Sequence, residues 1–577
     1  MTNGRNQSTG AEAMVRMLAT HGVKHIFGLC GDTSLPFYDA LAQLDHGMTH
    51  ILTRDERHAA YMADAYARVA GRVGVCEGPS GGGATYILPG VVEASESSVP
   101  VLAITTDVAT TSHGRFPLTE LDQEALYQPL TKWNGTLSDA ATLPLSVRRA
   151  FREMTTGRPG AAHLCLPFDV QKAAVPEEEI WADAQFGTFP ALRASPDPED
   201  VKKVLAAIRD AERPVIICGG GVVLAGAERF LELLAEGLFV TVATTVSGQG
   251  SLPETHPLCL GVVGSNGGRP ETRAVVDAAD LVVFIGCRAG SVTTERWRSP
   301  GPGVKIIHID SDPAVIGASY RTDLAICADA YETLGALVDA ARAWQTDSKA
   351  KKRETLQLCD ISVAGKAVAE AKAAKRAHFQ PLAESDARPI KPERVIATLE
   401  RLLPADAVVC ADPGTPCPYF SAFYTIRKPG RTFITNRAHG ALGYALAASV
   451  GAQVGRPDAK VAAAMGDGSF GMCVGEFETI VRLGLPITAV VFSNSVYGWI
   501  KAGQKSGFGE RYYSVDFSRT DHAAVAAAYG VKSWRVEDPA ELEPVLNKAI
   551  WHDGPTLVDV IAEPLQDAAA PVSEWVA

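Results

Sequence analysis

The sequence lacks the features of membrane, secreted and nucleic-acid-binding proteins. Its apolar runs, such as VAAAM and LVVFIG, are far too short to span a bilayer. No run of like charges forms a basic arm, and the formal charge of −12 opposes binding to a phosphate backbone. The start, MTNGRNQSTGAEAMVRML, has no apolar signal-peptide core. We therefore expect a cytoplasmic protein that binds neither nucleic acid nor membranes.

Cysteine and glycine patterns exclude further classes. The 11 cysteines are scattered without CxxC pairs or zinc-ligand spacing, which indicates reduced thiols. The glycine-rich segment CGGGVVLAG lacks the GxGxxG fingerprint and the later acidic partner of a dinucleotide-binding oxidoreductase. No short-period repeat of the solenoid kind is present. A chain of 577 residues that is 46% apolar and 21% charged is an ordinary globular composition, long enough for several domains.

Three blocks of the chain alternate short apolar strands with Ala-rich helices, the pattern of parallel sheets with crossover helices. We predict an α/β fold with three doubly wound parallel-sheet domains at residues 1–185, 195–345 and 389–577, joined by a solvated helical connector at 346–388. The predicted strands are HIFGL, VGVCEG, VPVLAIT and GAAHLCLP in the first block, RPVIICGGG, LFVTVATT, LVVFIGCR and VKIIHIDSDP in the second, and AVVCADPG, RTFITN, KVAAAMGDGS, ITAVVFSN and TLVDVIAEP in the third.

A candidate metal and phosphate site follows the strand KVAAA. The segment from Gly466 to Ser469, GDGS, lies between that strand and the helix GEFETIVRLG, so its backbone amides can approach an anion. Asp467 supplies a hard oxygen of the kind that magnesium prefers. One helix and one strand later comes Asn494, which a parallel crossover would bring beside Asp467, with the Val496 carbonyl completing the set. GDG alone is a common tight turn, and only the whole string points to a metal.

This string resembles the signature of thiamine-diphosphate enzymes, in which GDG and a later asparagine hold the cofactor through Mg²⁺. The resemblance covers almost the whole chain, in the order pyrimidine-binding, middle and diphosphate-binding domain. That order is shared with acetolactate synthase, benzaldehyde lyase and oxalyl-CoA decarboxylase. The segments FGLCGDTSLPFYDAL, ELDQEALYQPLTKW and KIIHIDSDPAVIG are most similar to acetolactate synthase large subunits. The resemblance implies a cofactor, thiamine diphosphate, whose ylid attacks a carbonyl carbon.

The segment TRDERHAAYMADAYAR resembles the family's cofactor-activating helix, with Glu56 in the place of the glutamate that faces the pyrimidine. A carboxyl group with a raised pKa suits that task. The alternative is that Glu56 is only a helix N-terminal acid that complements the dipole. Asp55 and His58 are expected to be surface or capping residues. The resemblance gives cofactor-binding roles to residues of the diphosphate-binding block: Gly414, Thr415, Gly440, Leu442, Gly466, Gly468, Ser469, Tyr497 and Gly498.

Departures from acetolactate synthase leave the substrates open. The family motif "LGMVxQW" after the asparagine reads YGWIKAGQ here, and "GPGATN" has become GGGATY. Lys132 and Arg288 fall where those enzymes hold the second 2-oxo acid, but the turn after Arg288 is Ala-Gly-Ser. For each candidate substrate contact, packing or a solvated position is an equal alternative. These candidates are Asp32, His113, Phe116, Arg288, Trp499 and Ile500.

We predict a carboligase or decarboxylase of a 2-oxo acid, similar to acetolactate synthase, that works as a homodimer or homotetramer with shared active sites. Glu56 would then act across the interface on cofactor held by Asp467. The alternative within the family is a lyase of a 2-hydroxyacyl-CoA or 2-hydroxy ketone. The middle block resembles domains that bind FAD or ADP in some relatives and nothing in others. Its Asp310 is either a ribose contact or a strand-end cap. The tail AAPVSEWVA is predicted to cover the active site.

Overall fold

The computed structural model describes residues 7–350 and 361–573. Three six-stranded sheets organise these residues, and every strand pairing within the three sheets is parallel. A short antiparallel ribbon is the only other sheet in the described ranges. The predicted α/β fold with three parallel sheets is confirmed.

The first sheet is built from the N-terminal block. Its interior strands are apolar because helices cover them, and Val75, Leu102 and Leu164 pack into one core with helix residues Met14 and Phe151. The elements are β1 Gln7–Thr9, α1 Gly10–Thr20, β2 His25–Gly28, α2 Leu35–Gln43, β3 Thr49–Leu52, α3 Glu56–Ala70, β4 Gly74–Gly78, α4 Gly82–Tyr86, α5 Leu88–Glu96, β5 Val101–Asp107, α6 Gln123–Tyr127, β6 Trp133–Thr136, α7 Leu143–Thr155, β7 Ala162–Pro167, α8 Phe168–Lys172 and β8 Ala174–Pro176. The sheet order is β3-β2-β4-β5-β7-β6, and β1 pairs with β8.

The second sheet belongs to the middle block. Asp310, at the end of its fifth strand, accepts a hydrogen bond from the Asp312 amide at 3.0 Å, which is a strand-end cap. The elements are α9 Pro198–Asp210, β9 Pro214–Cys218, α10 Gly220–Ala225, α11 Glu228–Leu238, β10 Thr241–Thr244, β11 Cys259–Val262, α12 Pro270–Asp277, β12 Leu281–Ile285, β13 Lys305–Asp310, β14 Leu324–Cys327 and α13 Ala330–Ala350. The sheet order is β11-β10-β9-β12-β13-β14.

The helix that follows, α14 Ile361–Ala383, corrects the prediction of a solvated connector. Val368 is fully buried and packs into the core formed by Val215, Ala243 and Phe284 of the second sheet. The Lys372 ammonium donates to the carbonyls of Glu254 and His256 at 2.7 and 2.8 Å. The Lys/Ala/Glu composition concealed this packing because small alanines and long lysine stems can cover a core as well as face water.

The third sheet belongs to the C-terminal block, in the order β16-β15-β17-β18-β20-β19. Its tail runs back to the middle block, where the Ser573 amide donates to the Ser265 carbonyl at 3.0 Å. The tail predicted to cover the active site is residues 569–577, of which 574–577 lie outside the described residues. The elements are α15 Pro392–Leu402, β15 Val408–Ala411, α16 Pro416–Phe423, β16 Phe433–Thr435, α17 Tyr444–Gly455, β17 Val461–Gly466, α18 Asp467–Cys473, α19 Phe477–Arg482, β18 Ile487–Ser493, α20 Gly498–Gly507, α21 His522–Ala528, β19 Lys532–Val536, α22 Pro539–Ile550 and β20 Thr556–Ile561.

The described chain divides into two compact units. The first contains the described residues up to Leu192 together with Asn436–Asp458 and Cys473–Leu485. The second contains the remaining residues from Arg193 onward. Helix α17 therefore belongs to the first unit, although the strands on either side of it in the sequence belong to the third sheet in the second unit.

Candidate active site

The end of β17 and the end of β18 bring Asp467 and Asn494 together in the second unit. The two strands pair in parallel register, with Gly466 opposite Phe492, so both residues follow neighbouring strand ends. Asp467 is buried, and its Oδ2 accepts hydrogen bonds from the amides of Asn494 at 2.8 Å and Ser495 at 2.6 Å. Its Oδ1 accepts from the Gly468 amide at 2.9 Å. Sequence reasoning predicted this juxtaposition from the crossover alone.

The donor chemistry of this strand-end pair fits a hard divalent cation. Burial raises the pKa of Asp467 above its usual value, while the amides of Ser495 and Asn494 oppose that rise. The Asn494 side-chain nitrogen is buried and has no hydrogen-bond partner within residues 7–350 and 361–573. Ser495 adopts the left-handed conformation, with φ of 59°, which turns the chain between Asn494 and the buried Val496. A carboxylate, an amide oxygen and a backbone carbonyl form a ligand set that magnesium accepts.

A glycine turn lies at the same edge of the third sheet. Strand β15 pairs with β17, with Ala411 opposite Ala464, and the Asp412 amide donates to the Ala464 carbonyl at 3.0 Å. Gly414 and Thr415 follow directly, and Thr415 is the N-cap residue of α16. The turn therefore places backbone amides near the strand end that carries Gly466, as a phosphate cradle requires.

Tyr497 packs against the turn that carries Asp467. A Cβ on Gly468 would lie 2.7 Å from the Tyr497 ring, so only glycine leaves room for this contact. The Tyr497 amide donates to the Val515 carbonyl at 2.9 Å, and its ring lies 5.2 Å from that of Phe517. Of the other cofactor candidates here, Ser469 is buried and Gly498 opens α20.

The substrate candidates of the second unit differ in exposure. Trp499 packs partly into the core of the third sheet, whereas Ile500 is 55% exposed on the same helix, α20. Arg288 follows β12 of the middle block and is exposed, just before Ala289 in the left-handed conformation.

Glu56 is a buried acid at the first position of α3 in the first unit. Asp55 is the N-cap, its side chain accepting from the Arg57 amide at 2.9 Å, so Glu56 is not the capping acid. The Glu56 carboxyl makes no hydrogen bond to another side chain within the described parts of the chain. Burial raises the pKa of Glu56, its own amide opposes the rise, and the Asp55 charge adds to it. A desolvated, unpaired acid is suited to proton exchange with a ligand.

His58 is buried, which corrects the expectation of a surface or capping residue. Its Nδ1 lies 3.0 Å from Glu476 Oε1, and the same oxygen accepts from the Arg54 amide at 2.9 Å. Glu476 is itself fully buried, and Thr479 donates to its second oxygen at 2.7 Å. Sequence reasoning missed Glu476, which holds the start of the Glu56 helix. The only available signal was an acid at the start of the segment GEFETIVRLG, which follows GDGS.

The segment that carries Gly440 and Leu442 is fixed to the Glu56 helix within the first unit. Gly440 and Gly443 have φ of 76° and 84°, so the chain turns sharply on both sides of Leu442. The His439 amide donates to Glu93 Oε2 at 2.7 Å. Helix α17 then packs on α3 so closely that a Cβ on Gly451 would lie 2.0 Å from the Met62 carbonyl oxygen.

The substrate candidates of the first unit lie on loops. His113 Nε2 is 3.4 Å from Asp107 Oδ2, and its Nδ1 is 3.5 Å from Glu120 Oε1, so it lies between two carboxylates. Burial raises the pKa of Asp107, while its partner amide at Val108 and the His113 charge lower it. Asp32 is exposed and accepts from the Thr33 amide at 2.8 Å. Phe116 is 95% exposed.

Three domain families match the chain in order. The N-terminal TPP binding domain of thiamine pyrophosphate enzymes matches residues 8–126, the central domain matches 201–337, and the C-terminal TPP binding domain matches 412–560. Together these matches cover well over half of the sequence. No helix in the described ranges has the length and apolar character needed to cross a membrane.

Relatives align with nearly the whole chain. The probable acetolactate synthase large subunit of Methanocaldococcus jannaschii is 35% identical over 96% of this chain and 92% of its own length. The acetolactate synthase large subunit of Corynebacterium glutamicum is 32% identical over 96% of this chain and 86% of its own. Acetolactate synthase isozyme 3 large subunit of Escherichia coli K12 is 30% identical over 94% and 92%. The resemblance read from the sequence is confirmed.

Proposed function

The chain belongs to the thiamine pyrophosphate enzyme family, and on this basis we propose that it decarboxylates a 2-oxo acid and transfers the remaining acyl carbon to a second carbonyl, as in acetolactate synthesis. When bound, thiamine diphosphate would supply a nucleophilic carbon that attacks the 2-oxo group and a cationic ring that accepts the electron pair left by decarboxylation. The observation that carries the proposal is a pair of buried acids. Glu56 lies at the start of a helix and is suited to proton exchange, and Asp467 follows a strand end and is suited to binding a metal ion.

We assign the metal site to Asp467, the Asn494 amide oxygen and the Val496 carbonyl, which would hold Mg²⁺ against a diphosphate. The backbone of Gly414, Thr415, Gly466, Gly468 and Ser469 would bind the phosphate oxygens. The support is the shared sheet edge and the buried Asp467 carboxylate beside Asn494. Tyr497 and Gly498 would contact the cofactor beside this metal and diphosphate site.

Glu56 holds and exchanges the proton at the aminopyrimidine ring in this proposal. Gly440 would accept from the amino group of that ring, and Leu442 would support its bend. Burial raises the pKa of Glu56 above its usual value, which favours the protonated acid that this role needs. The proposed substrate contacts are Asp32, His113, Phe116, Arg288, Trp499 and Ile500, among which His113 lies between two carboxylates.

Large exposed apolar side chains support a homodimer or homotetramer with shared sites. In the first unit, Phe116 and Leu118 are 95% and 85% exposed beside the candidate substrate loop. In the second unit, Tyr513 is 85% exposed near the segment that follows α20. Exposed apolar side chains that are close together, such as Phe116 and Leu118, are typical of surfaces that a partner covers.

The test is turnover of pyruvate and other small 2-oxo acids, alone and with a second 2-oxo acid or an aldehyde, in the presence of thiamine diphosphate and Mg²⁺. We expect carbon dioxide release coupled to a new carbon–carbon bond. Product from a 2-hydroxyacyl-CoA in place of any 2-oxo acid would replace this proposal with the lyase alternative. No turnover of either class would overturn both.

A further inference from the structure

A second buried acid, Glu77, lies on β4 of the first sheet, and β2 separates it from β3, the strand that leads to Glu56. In the strand register, Gly28 of β2 pairs with Glu77 of β4 on one side and with Leu52 of β3 on the other. Thr53 follows Leu52, and its amide and hydroxyl donate to the Gly28 carbonyl at 3.0 and 3.3 Å. Helix α3 begins three residues later, at Glu56. Both acids therefore lie at the carboxyl edge of the first sheet.

Glu77 is fully buried without a compensating cation in the described ranges. Its Oε2 accepts from the Tyr38 hydroxyl at 2.7 Å, and its Oε1 has no hydrogen-bond partner there. The carboxyl lies over Gly28, where a Cβ would come within 2.9 Å of Oε2. An ionised carboxylate in such a place is costly, whereas a neutral acid is tolerated.

The surroundings favour the neutral form of Glu77. Burial is the largest cause and raises the pKa of Glu77 to about 8. The Tyr38 hydroxyl, which donates to the carboxylate, lowers that pKa, the nearby Ser34 hydroxyl lowers it as well, and the charge of Glu56 raises it. Burial and the Glu77 charge likewise raise the pKa of Tyr38, with smaller contributions from Cys30 and Glu56, so Tyr38 stays a neutral phenol.

A hydrogen-bonded chain connects Glu77 to the edge of the sheet. The Tyr38 hydroxyl also lies 2.9 Å from Nε2 of His50, a partly exposed residue of the edge strand β3. Burial, with a smaller contribution from the Arg482 charge, lowers the pKa of His50 to about 4, so the ring is neutral near pH 7. The chain thus contains three groups that each donate and accept protons.

The chain has two proton arrangements on the same heavy atoms. When Glu77 is ionised, His50 Nε2–H donates to Tyr38 and Tyr38 donates to Glu77. When Glu77 is protonated, it donates to Tyr38, and Tyr38 donates to His50 Nε2. A proton that binds His50 Nδ1 therefore displaces the Nε2 proton to Tyr38, whose own proton passes to Glu77. Each transfer breaks one O–H or N–H bond and forms another, so charge and atoms balance.

We propose that Glu77 is a positioning residue for Glu56, a neutral acid that holds a proton beside it and exchanges that proton with solvent through Tyr38 and His50. Two nearby carboxyls resist being ionised together, so Glu77 keeps negative charge off the site while Glu56 changes its protonation. The role at Glu56 rests on the proposed function, but the protonation of Glu77 does not.

Infrared spectroscopy of the protein without added cofactor or metal tests the protonation directly. We expect a carboxylic-acid C=O band at pH 7 that fades as the pH passes about 8 and is absent from Glu77→Gln. Glu393→Gln is the matched control, because burial raises the pKa of Glu393 to about 7 as well, and its loss should leave the Glu77 band unchanged. An unchanged spectrum in Glu77→Gln would overturn the proposal.

Tyr38→Phe keeps the proposal testable if Glu77→Gln does not fold. Removing the hydroxyl takes a donor from the carboxylate, so the Glu77 band should persist to higher pH than in the wild type. A band that fades at the same pH or lower would contradict the hydrogen-bonded chain.

The role toward Glu56 is read from hydrogen–deuterium exchange at the reactive carbon of bound thiamine diphosphate. Glu77→Gln should slow this exchange by on the order of tenfold or more, and Glu77→Asp should restore part of it, because an acid returns. Normal exchange in Glu77→Gln, with the infrared band lost, would refute the role at Glu56. If the infrared results hold but the wild type neither binds the cofactor nor turns over 2-oxo acids, the proposed function alone fails.

Discussion

The Tyr444 hydroxyl donates a hydrogen bond of 2.6 Å to Asp64 Oδ2, and both residues are fully buried. Asp64 and Glu93 also bind the buried Arg68 guanidinium, at 3.0 and 3.1 Å. This network joins α17 to α3 and α5, so the segment carrying Gly440 and the helix carrying Glu56 are held by the same buried charges.

Tyr444→Phe should therefore destabilise the first unit by about 1–3 kcal/mol, because Asp64 loses a donor that water cannot replace. Thermal unfolding would show the loss, and Tyr513→Phe, at an exposed tyrosine, is the control that should leave it unchanged. Equal unfolding temperatures for Tyr444→Phe and the wild type would show that the network contributes nothing.

Glu56→Gln should keep thiamine diphosphate binding and lower turnover on the order of 100-fold or more, because an amide does not exchange the pyrimidine proton. Cofactor binding is measured by titration and turnover by product formation. Arg57→Gln alters the exposed neighbour and should leave both nearly normal. Turnover of Glu56→Gln within a few-fold of the wild type would remove Glu56 from the mechanism.

Asp467→Asn should raise the Mg²⁺ concentration needed for cofactor binding by more than about tenfold, since the site loses its only carboxylate ligand. Titration of cofactor binding against Mg²⁺ measures this. Glu232 and Glu236 provide a control, because they form a separate cluster of potential metal ligands. Their carboxylate oxygens and a ring nitrogen of His256 all lie within 4.8 Å of one another. Their double change to glutamine should not alter the requirement.

Shared active sites predict complementation between two inactive variants. Mixed dimers of Glu56→Gln and Asp467→Asn contain one site with neither change, so an equal mixture that exchanges subunits should regain about a quarter of the wild-type turnover. The mixture stays inactive if both residues of a site come from one chain. Sedimentation of each variant confirms that the dimers still form.

Glu77→Gln should change the pH dependence of stability. The folded state keeps the Glu77 proton up to about pH 8, whereas an unfolded chain releases it near pH 4.5. Between those values the folded state binds more protons, so its stability falls as pH rises and levels off above pH 8. Glutamine does not titrate, so the Glu77→Gln variant lacks this loss of stability. The free energy of unfolding of the variant minus that of the wild type should therefore increase as the pH rises from about 4.5 to about 8. Thermal unfolding from pH 5 to 9 measures it.

The sequence predicted the interior of each sheet and missed most of the edges. The four interior strands of each sheet are largely buried and most of their residues are apolar, although β4 carries Glu77 and β5 ends in Thr-Thr-Asp. Five of the six edge strands were absent from the prediction, and strands such as β3, β6 and β19 expose many of their residues. Edge strands contact the core on fewer sides, so their composition is close to that of loops.

In the candidate site, the sequence likewise predicted a contact that depends on local spacing and missed those that depend on residues distant in the sequence. Asp467 and Asn494 were predicted together because a single crossover determines their spacing. Glu77 and Glu476 were not predicted, because their burial depends on Tyr38 and His58, which lie far away in the sequence. A local pattern shows that an acid is present but not which distant side chains enclose it.

Because the first unit is discontinuous in sequence, the order of synthesis matters to its folding. When Leu192 has left the ribosome, the helix that will cover the alanine-rich side of α3 is still about 250 residues from being made. A nascent or truncated N-terminal fragment therefore displays that bare surface to chaperones and to other chains. The first domain to be translated is among the last to be completed.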